Sequence, residues 1–287
     1  ISDQPADAGR SPGASSAIDA AVRWLLDLQN RDGGWPTFCR GWGALPFDRS
    51  AADLTAHALR ALMAYRETEG WLNLHTPIEK RSDINDFVDD VSIRMQHGVA
   101  DVLDASSAEA IQTGLRFLQK TQRPDGSWLP LWFGNQHAPD DVNPTYGTAR
   151  VLAAYRDCDR LDTEPARRGL QWLADNQNDD GGWGGIKATP SSIEEASLAV
   201  EILLSSERHP DSAERGLTWL LDRVEDGSFH EPSPIGFYFA KLWYFERLYP
   251  LIFLTAALRR ACTLKPDICT TEPGRAGPDR SDTARLC

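Results

Sequence analysis

The chain has 287 residues, 41% apolar and 25% charged, with 30 basic against 42 acidic residues and a net charge of −12. That length suits one large domain or two small ones, and the composition is that of an ordinary globular protein. An acidic chain with no basic stripe speaks against nucleic acid as a partner.

The first 15 residues are rich in Ser, Gly, Pro, Ala and Asp and read as a flexible lead; 263–287 have the same character and read as a disordered tail. Between them, 16–262 form one domain in which helical periodicity dominates. At 16–30, Ile18, Val22, Leu25 and Leu26 recur at three- and four-residue spacing. At 50–66, Leu54, Ala58, Leu62 and Tyr65 share a face. Further helices are predicted at 106–122, 145–157, 163–177, 191–205, 211–224 and about 237–261, with Asp, Gly, Pro and Asn marking the turns. Residues 68–104 interrupt this rhythm and read as an insertion, with Phe87, Val91 and Met95 four apart. No stretch shows sustained period-two alternation, so the predicted class is all-α, with about eight core helices.

Cysteines at 39, 158, 262, 269 and 287 form no CxxC pair and are odd in number. This predicts no disulfide framework and a reducing, cytoplasmic compartment. No run reaches the roughly 18 apolar residues of a membrane-spanning helix. The chain starts at Ile1 rather than Met, which predicts a piece of a longer protein or a processed one.

Three stretches repeat one arrangement: AVRWLLDLQNRDGGW (21–35), GLRFLQKTQRPDGSW (114–128) and GLQWLADNQNDDGGW (169–183). Each has an aromatic (Trp24, Phe117, Trp172), then a Gln (Gln29, Gln122, Gln177), then a Trp (Trp35, Trp128, Trp183). GLTWLLDRVEDGSF (216–229) is a shorter fourth copy without the Gln, closing on Phe229. Gly reaches positive φ and ends the helix. The Gln amide donates and accepts, and so can satisfy helix-end groups. The Trp can bury a large ring and still bond its N–H. The expectation is a structural clamp from an outer helix to the inner helix that follows, rather than a ligand platform.

These repeats resemble the QW motifs of squalene-hopene and oxidosqualene cyclases. DLTAHAL (53–59) resembles that family's segment around a Thr-Ala-His, and WFGNQ with NPTYGTARVL (132–152) its Trp-Gly and Tyr-Gly-Thr stretch. ATPSSIEEASLAVEILL (188–204) resembles its Thr-Pro-Ser helix, and GFYFAKLWYFERLYPLIFLTAALRRA (236–261) its closing aromatic helix. The resemblance runs collinearly over about 20–262. It implies part of an (α/α)6 barrel and a cation-driven cyclisation of a linear triterpene such as squalene, giving a hopanoid-type polycycle. It implies no metal and no redox cofactor.

In the resembling family the proton comes from the central Asp of a DxDD motif. None of the pairs Asp89-Asp90, Asp140-Asp141 and Asp179-Asp180 fits that pattern, and the matching position is expected before Ile1. The resemblance implies that His57 supports the acid, as an imidazolium that favours the conjugate base. Asp53, four residues earlier on the same helical face, can orient His57, and Asp48 stands nine residues before it. Trp132, Phe133, Tyr146, Phe237, Phe239, Trp243 and Tyr244 are the candidate cavity lining, with Tyr238, Phe245 and Tyr249 in the wider aromatic set, since aromatic faces stabilise cations. The partner implied is a linear isoprenoid lipid. Peripheral membrane contact is expected through WLPLWF (128–133) or YPLIFL (249–254). Two alternatives stand beside this reading. One is a non-catalytic barrel that has lost the acid. The other is a zinc prenyltransferase-like protein, whose ligand spacing Cys39, Asp48 and His57 do not match.

Overall fold

The computed structural model describes residues 12–37, 48–75, 84–237 and 241–264. Its helices are α1 (Pro12–Leu28), α2 (Ala52–His75), α3 (Ile84–Thr121), α4 (Pro144–Asp157), α5 (Glu164–Asp175), α6 (Ile193–Leu204), α7 (Pro210–Glu225) and α8 (Leu248–Leu264). Helix starts follow local chemistry. Asn143 accepts the Tyr146 N–H at 3.0 Å ahead of a Pro in the first turn of α4. Ser192 accepts the Glu195 N–H at 3.1 Å as the N-cap of α6, and its hydroxyl also donates to the Glu195 carboxylate. The stretch read as an insertion is occupied by the end of α2 and the long first part of α3, which carries Phe87, Val91 and Met95.

The helices form two layers. α2, α4, α6 and α8 pack side by side as the inner layer, while α3, α5 and α7 each cover an inner neighbour and α1 lies against α3. One core runs from Val22 to Ala261 across both layers.

The last predicted helix is corrected. β2 (Pro234–Phe237) and β3 (Leu242–Phe245) pair antiparallel as a hairpin, and β2 also pairs antiparallel with β1 (Phe133–Gly134). The helix begins only at Leu248. The reason lies in PIGF and LWYF, whose aromatic and branched side chains favour a pleated surface, and Lys241, just before β3, takes a φ of 50°. Apolar residues at nearly every position hid the alternation. Cys262 on α8 is disulfide-bonded, a bridge where the scattered cysteines predicted no disulfide framework. Disulfides depend on spatial proximity that spacing alone does not reveal. Cys158 is a free thiol.

The repeats build the outer seams. Trp35, Trp128 and Trp183 are fully buried, and each indole N–H donates to the carbonyl ten residues back, Leu25, Leu118 and Leu173, at 2.7–2.8 Å. Each Gln amide donates to its own turn, at Gly33, Gly126 or Gly181. It then reaches the next outer helix, at Ala110 of α3, Pro165 of α5 or Ser212 of α7, at 2.8–3.0 Å. The clamp therefore joins outer helix to outer helix as well as to the inner one. The inner connection comes from the main chain: the N–H of Trp35 and of Trp128 donates to Thr55 and Thr148, each 20 residues ahead, at 3.0 Å.

Two sets of glycines make the seam possible. Gly33, Gly126 and Gly181 take φ of +92° to +95°, a region that L side chains resist. At Gly114, Gly169 and Gly216, an added Cβ would lie 3.0, 2.8 and 2.5 Å from the Trp ring of the preceding repeat. α3, α5 and α7 thus each open a slot for the preceding repeat's Trp. Of the preceding aromatics, Phe117 and Trp172 are buried as expected, but Trp24 is 54% exposed. In the fourth copy Phe229 is half-buried, and a methyl added at Gly227, φ +82°, would meet nothing within 4 Å.

Candidate active site

The paired Trp-to-Thr hydrogen bonds set α2 and α4 in a common register. Asp53-Leu54-Thr55-Ala56-His57 on α2 then corresponds to Tyr146-Gly147-Thr148-Ala149-Arg150 on α4. On α6, the Ser192 N–H donates to Trp183 as the Ala51 N–H does to Trp35, so Glu194 takes the place of Asp53 and Leu198 that of His57. Three inner helices therefore present different chemistry at one level.

Asp53 is 1% exposed. Burial drives its carboxyl up to about 6, against opposing hydrogen bonds from the Leu131, Leu54 and Asp53 amides and the charge of Arg150. The Leu131 N–H lies 3.1 Å from its Oδ1. Asp53 thus fastens α2 to the strand-forming segment after the second repeat. It makes no hydrogen bond to His57, so the expected orienting contact is absent among the described residues. Asp48 uses its carbonyl to accept the Asn30 amide at 3.0 Å, and its Oδ1 is buried without a partner among the described residues.

His57 makes no hydrogen bond to a described residue. Loss of hydration, then the charges of Arg150 and Arg60, hold its imidazole down to about 4. The His57 side chain is nonetheless exposed on one side. Tyr146 is buried, its phenol pushed up to about 12 by burial, and it accepts a hydrogen bond from Arg150. Arg150 lies over the Tyr146 ring at 5.0 Å and the Phe253 ring at 4.6 Å.

The aromatic candidates divide. Phe133 and Tyr146 meet at 4.8 Å, and Phe133 meets Tyr249 edge-on at 6.4 Å. With Phe253 stacked on Tyr249 at 5.4 Å they form one aromatic group beside Arg150. Trp132 is buried and donates to Thr37 at 3.0 Å. Trp243 and Tyr244 are half-buried on β3, and Tyr244 hydrogen-bonds Tyr249. Phe237 pairs through its backbone with Phe133 and Leu242; its side chain, and all of Phe239, lie outside the described residues. Sequence reading missed Arg150 and Phe253, while Tyr249 was among the aromatics it named. The signal for Arg150 was present as the matching Thr-Ala-His and Thr-Ala-Arg.

A second polar group sits at the start of α6. Glu195 accepts amide hydrogens from Asn143 at 2.9 Å and Asn135 at 3.1 Å. Burial, then the neighbouring Glu194, drive its carboxyl up to about 7. Glu194 accepts the Ser233 N–H at 2.9 Å and ties the hairpin to α6.

Known proteins place this geometry. Enfumafungin synthase efuA of Hormonema carpetanum is 30% identical over 80% of this chain and 16% of its own length. A squalene–hopene cyclase of Bradyrhizobium diazoefficiens is 27% identical over 83% and 34%. A drimenyl diphosphate synthase of Streptomyces showdoensis is 26% identical over 89% and 40%. The chain therefore spans between about a sixth and two-fifths of these relatives. Among solved structures, ent-copalyl diphosphate synthase from Streptomyces platensis superposes with a TM-score of 0.51 at 21% identity, over 83% of this chain and 37% of that one, which shows the shared helical-barrel fold. The family model of the squalene-hopene cyclase C-terminal domain matches residues 75–263, and the chain belongs to that family.

Proposed function

We propose that this chain is the C-terminal part of a cyclase that protonates an alkene and cyclises a linear triterpene such as squalene to a hopanoid-type polycycle, an isomerase chemistry. The observation that carries the reading is the convergence of Asp53, His57, Tyr146 and Arg150 over one matched turn of two neighbouring inner helices, with the Phe133, Tyr249 and Phe253 rings grouped beside Arg150. A buried carboxyl, fixed cations and aromatic faces are what a site for proton donation and carbocation steering requires. The donor acid itself is assigned to sequence outside this chain. On this reading His57 and Asp53 support that acid, and Phe133 and Tyr146 belong to the cavity wall.

The similarity to drimenyl diphosphate synthases favours a second substrate, a linear isoprenoid diphosphate. Both are tested together: the longer parent protein is incubated with squalene and, separately, with a farnesyl diphosphate, and cyclic products are sought by mass spectrometry. Polycycles from squalene are expected. Product from the diphosphate alone replaces the substrate, and no product from either, with folded protein, leaves the non-catalytic barrel.

For peripheral membrane contact, the 128–133 stretch is unsuited, because Trp128 and Trp132 are buried. We place contact instead on Phe245, Leu248 and Ile252, at the hairpin and the start of α8, which are 63%, 59% and 54% exposed. No helix among the described residues is long and apolar enough to cross a membrane.

A further inference from the structure

We propose that Arg150, rather than a protonated His57, is the positive charge that supports the acid of this site. The inference rests on the cyclase reading above and assigns Arg150 the part of a positioning residue.

The geometry begins with register. Thr148-Ala149-Arg150 repeats Thr55-Ala56-His57 on the adjacent inner helix, so two nitrogen bases stand at the same height, one turn beyond Tyr146 and Asp53. Arg150 is held between two aromatic rings, which fix its plane and leave its N–H edge for an acceptor. Tyr146 takes one hydrogen bond, and the buried Nε has no partner among the described residues. No carboxylate within the described residues forms an ion pair with it.

The charged groups around it are accounted for. From α2 come Asp53, engaged by Leu131 at 3.1 Å, and the bases His57 and Arg60, the latter paired with Asp157 at 2.6 Å. From α6, Glu194 is bonded to Ser233 and Glu195 to Asn135 and Asn143. From α8 comes the Tyr249 phenol, and Glu164 of α5 acts on Tyr155 instead. Among the described residues Arg150 feels the Asp53 carboxyl only through space and forms no ion pair, and a carboxylate is the partner its open edge fits.

A guanidinium stays charged across all working pH. It lowers the pKa of a neighbouring carboxylic acid and so strengthens it as a proton donor. An imidazolium would do so only below its own pKa. The same guanidinium opposes protonation of His57, which leaves His57 as a neutral hydrogen-bonding base.

The test is the pH profile of kcat in the longer parent enzyme. In Arg150→Gln the acid weakens: kcat falls by about tenfold or more, KM changes little, and the alkaline limb moves up by about one pH unit. Arg150→Lys restores the limb. His57→Asn lowers turnover and leaves the limb in place. An unmoved limb in folded Arg150→Gln overturns the inference, as does a limb that moves only in His57→Asn. Should Arg150→Gln fail to fold, Arg150→His decides: activity must fall as the introduced imidazole loses its proton, at about pH 6–7, and a wild-type limb overturns the proposal. Absence of turnover in the wild-type parent would instead sink the cyclase reading.

Discussion

The outer seams and the inner helix ends share one repeating frame and use it in opposite ways. At the seams, Gln29, Gln122 and Gln177 make the same two kinds of bond, and Trp35, Trp128 and Trp183 fill the same slot. At the inner ends, the position of Asp53 holds Tyr146 on α4 and Glu194 on α6, and that of His57 holds Arg150 and Leu198. Stereochemistry explains the first: a positive φ and a ring pressed on a backbone admit few residues. The inner positions carry no such constraint, so their chemistry is free to differ. A repeat protein can therefore be read by asking where its copies agree for reasons of fit and where they diverge.

Breaking a seam should have the largest effect. Trp128→Ala removes a fully buried ring and its bond to Leu118, and chemical denaturation should show a loss of about 3–5 kcal/mol. A loss below about 1 kcal/mol would mean that the ring only covers the junction.

The inner level should answer to pH. Burial raises Glu195 to about 7 from 4.5, so the folded state holds this proton more firmly than the unfolded state. Its contribution is complete below about pH 4.5 and is lost as pH rises through 7. Glu195→Gln keeps an oxygen for Asn135 and Asn143, and its stability should lack that decline, a difference on the order of 1–3 kcal/mol between pH 4.5 and 8. Parallel melting curves for the two proteins would refute this. Gln177→Ala, which severs the bonds to Gly181 and Ser212, should cost about 1–3 kcal/mol without any pH dependence.

The smallest effect sharpens the contrast between complete and incomplete copies. A methyl at Gly126 would meet the Arg168 carbonyl at 2.9 Å, whereas at Gly227 it meets nothing. Gly227→Ala should lose only the backbone penalty, about 1–2 kcal/mol, and Gly126→Ala measurably more. Equal losses would show that the seam yields to the added methyl.

Much of this was visible in the residues. Helices at 106–122, 145–157 and 211–224 were legible because apolar spacing and turn residues agree, and all three occur within a few residues of α3's end, α4 and α7. The hairpin was not, because a pleated segment with apolar residues on both faces carries no alternation to detect. The second partners of Gln29, Gln122 and Gln177 lie 81, 43 and 35 residues away, and no local pattern points to them. His57 and Asp53 were found together by resemblance and helical spacing, but Asp53 turns to Leu131, a partner 78 residues off. Arg150 was legible only by laying two helices side by side.

The slots and the rings have one further consequence. Gly169 on α5 receives Trp128, and Trp183, which follows α5, enters the slot of Gly216 on α7. No repeat houses its own indole, so none completes its core alone. The array has a polarity, with each unit stabilised by the one before and stabilising the one after, as in a nearest-neighbour chain. Damage at one joint should therefore spread along the row, and the pieces on either side of a broken joint should unfold as separate blocks.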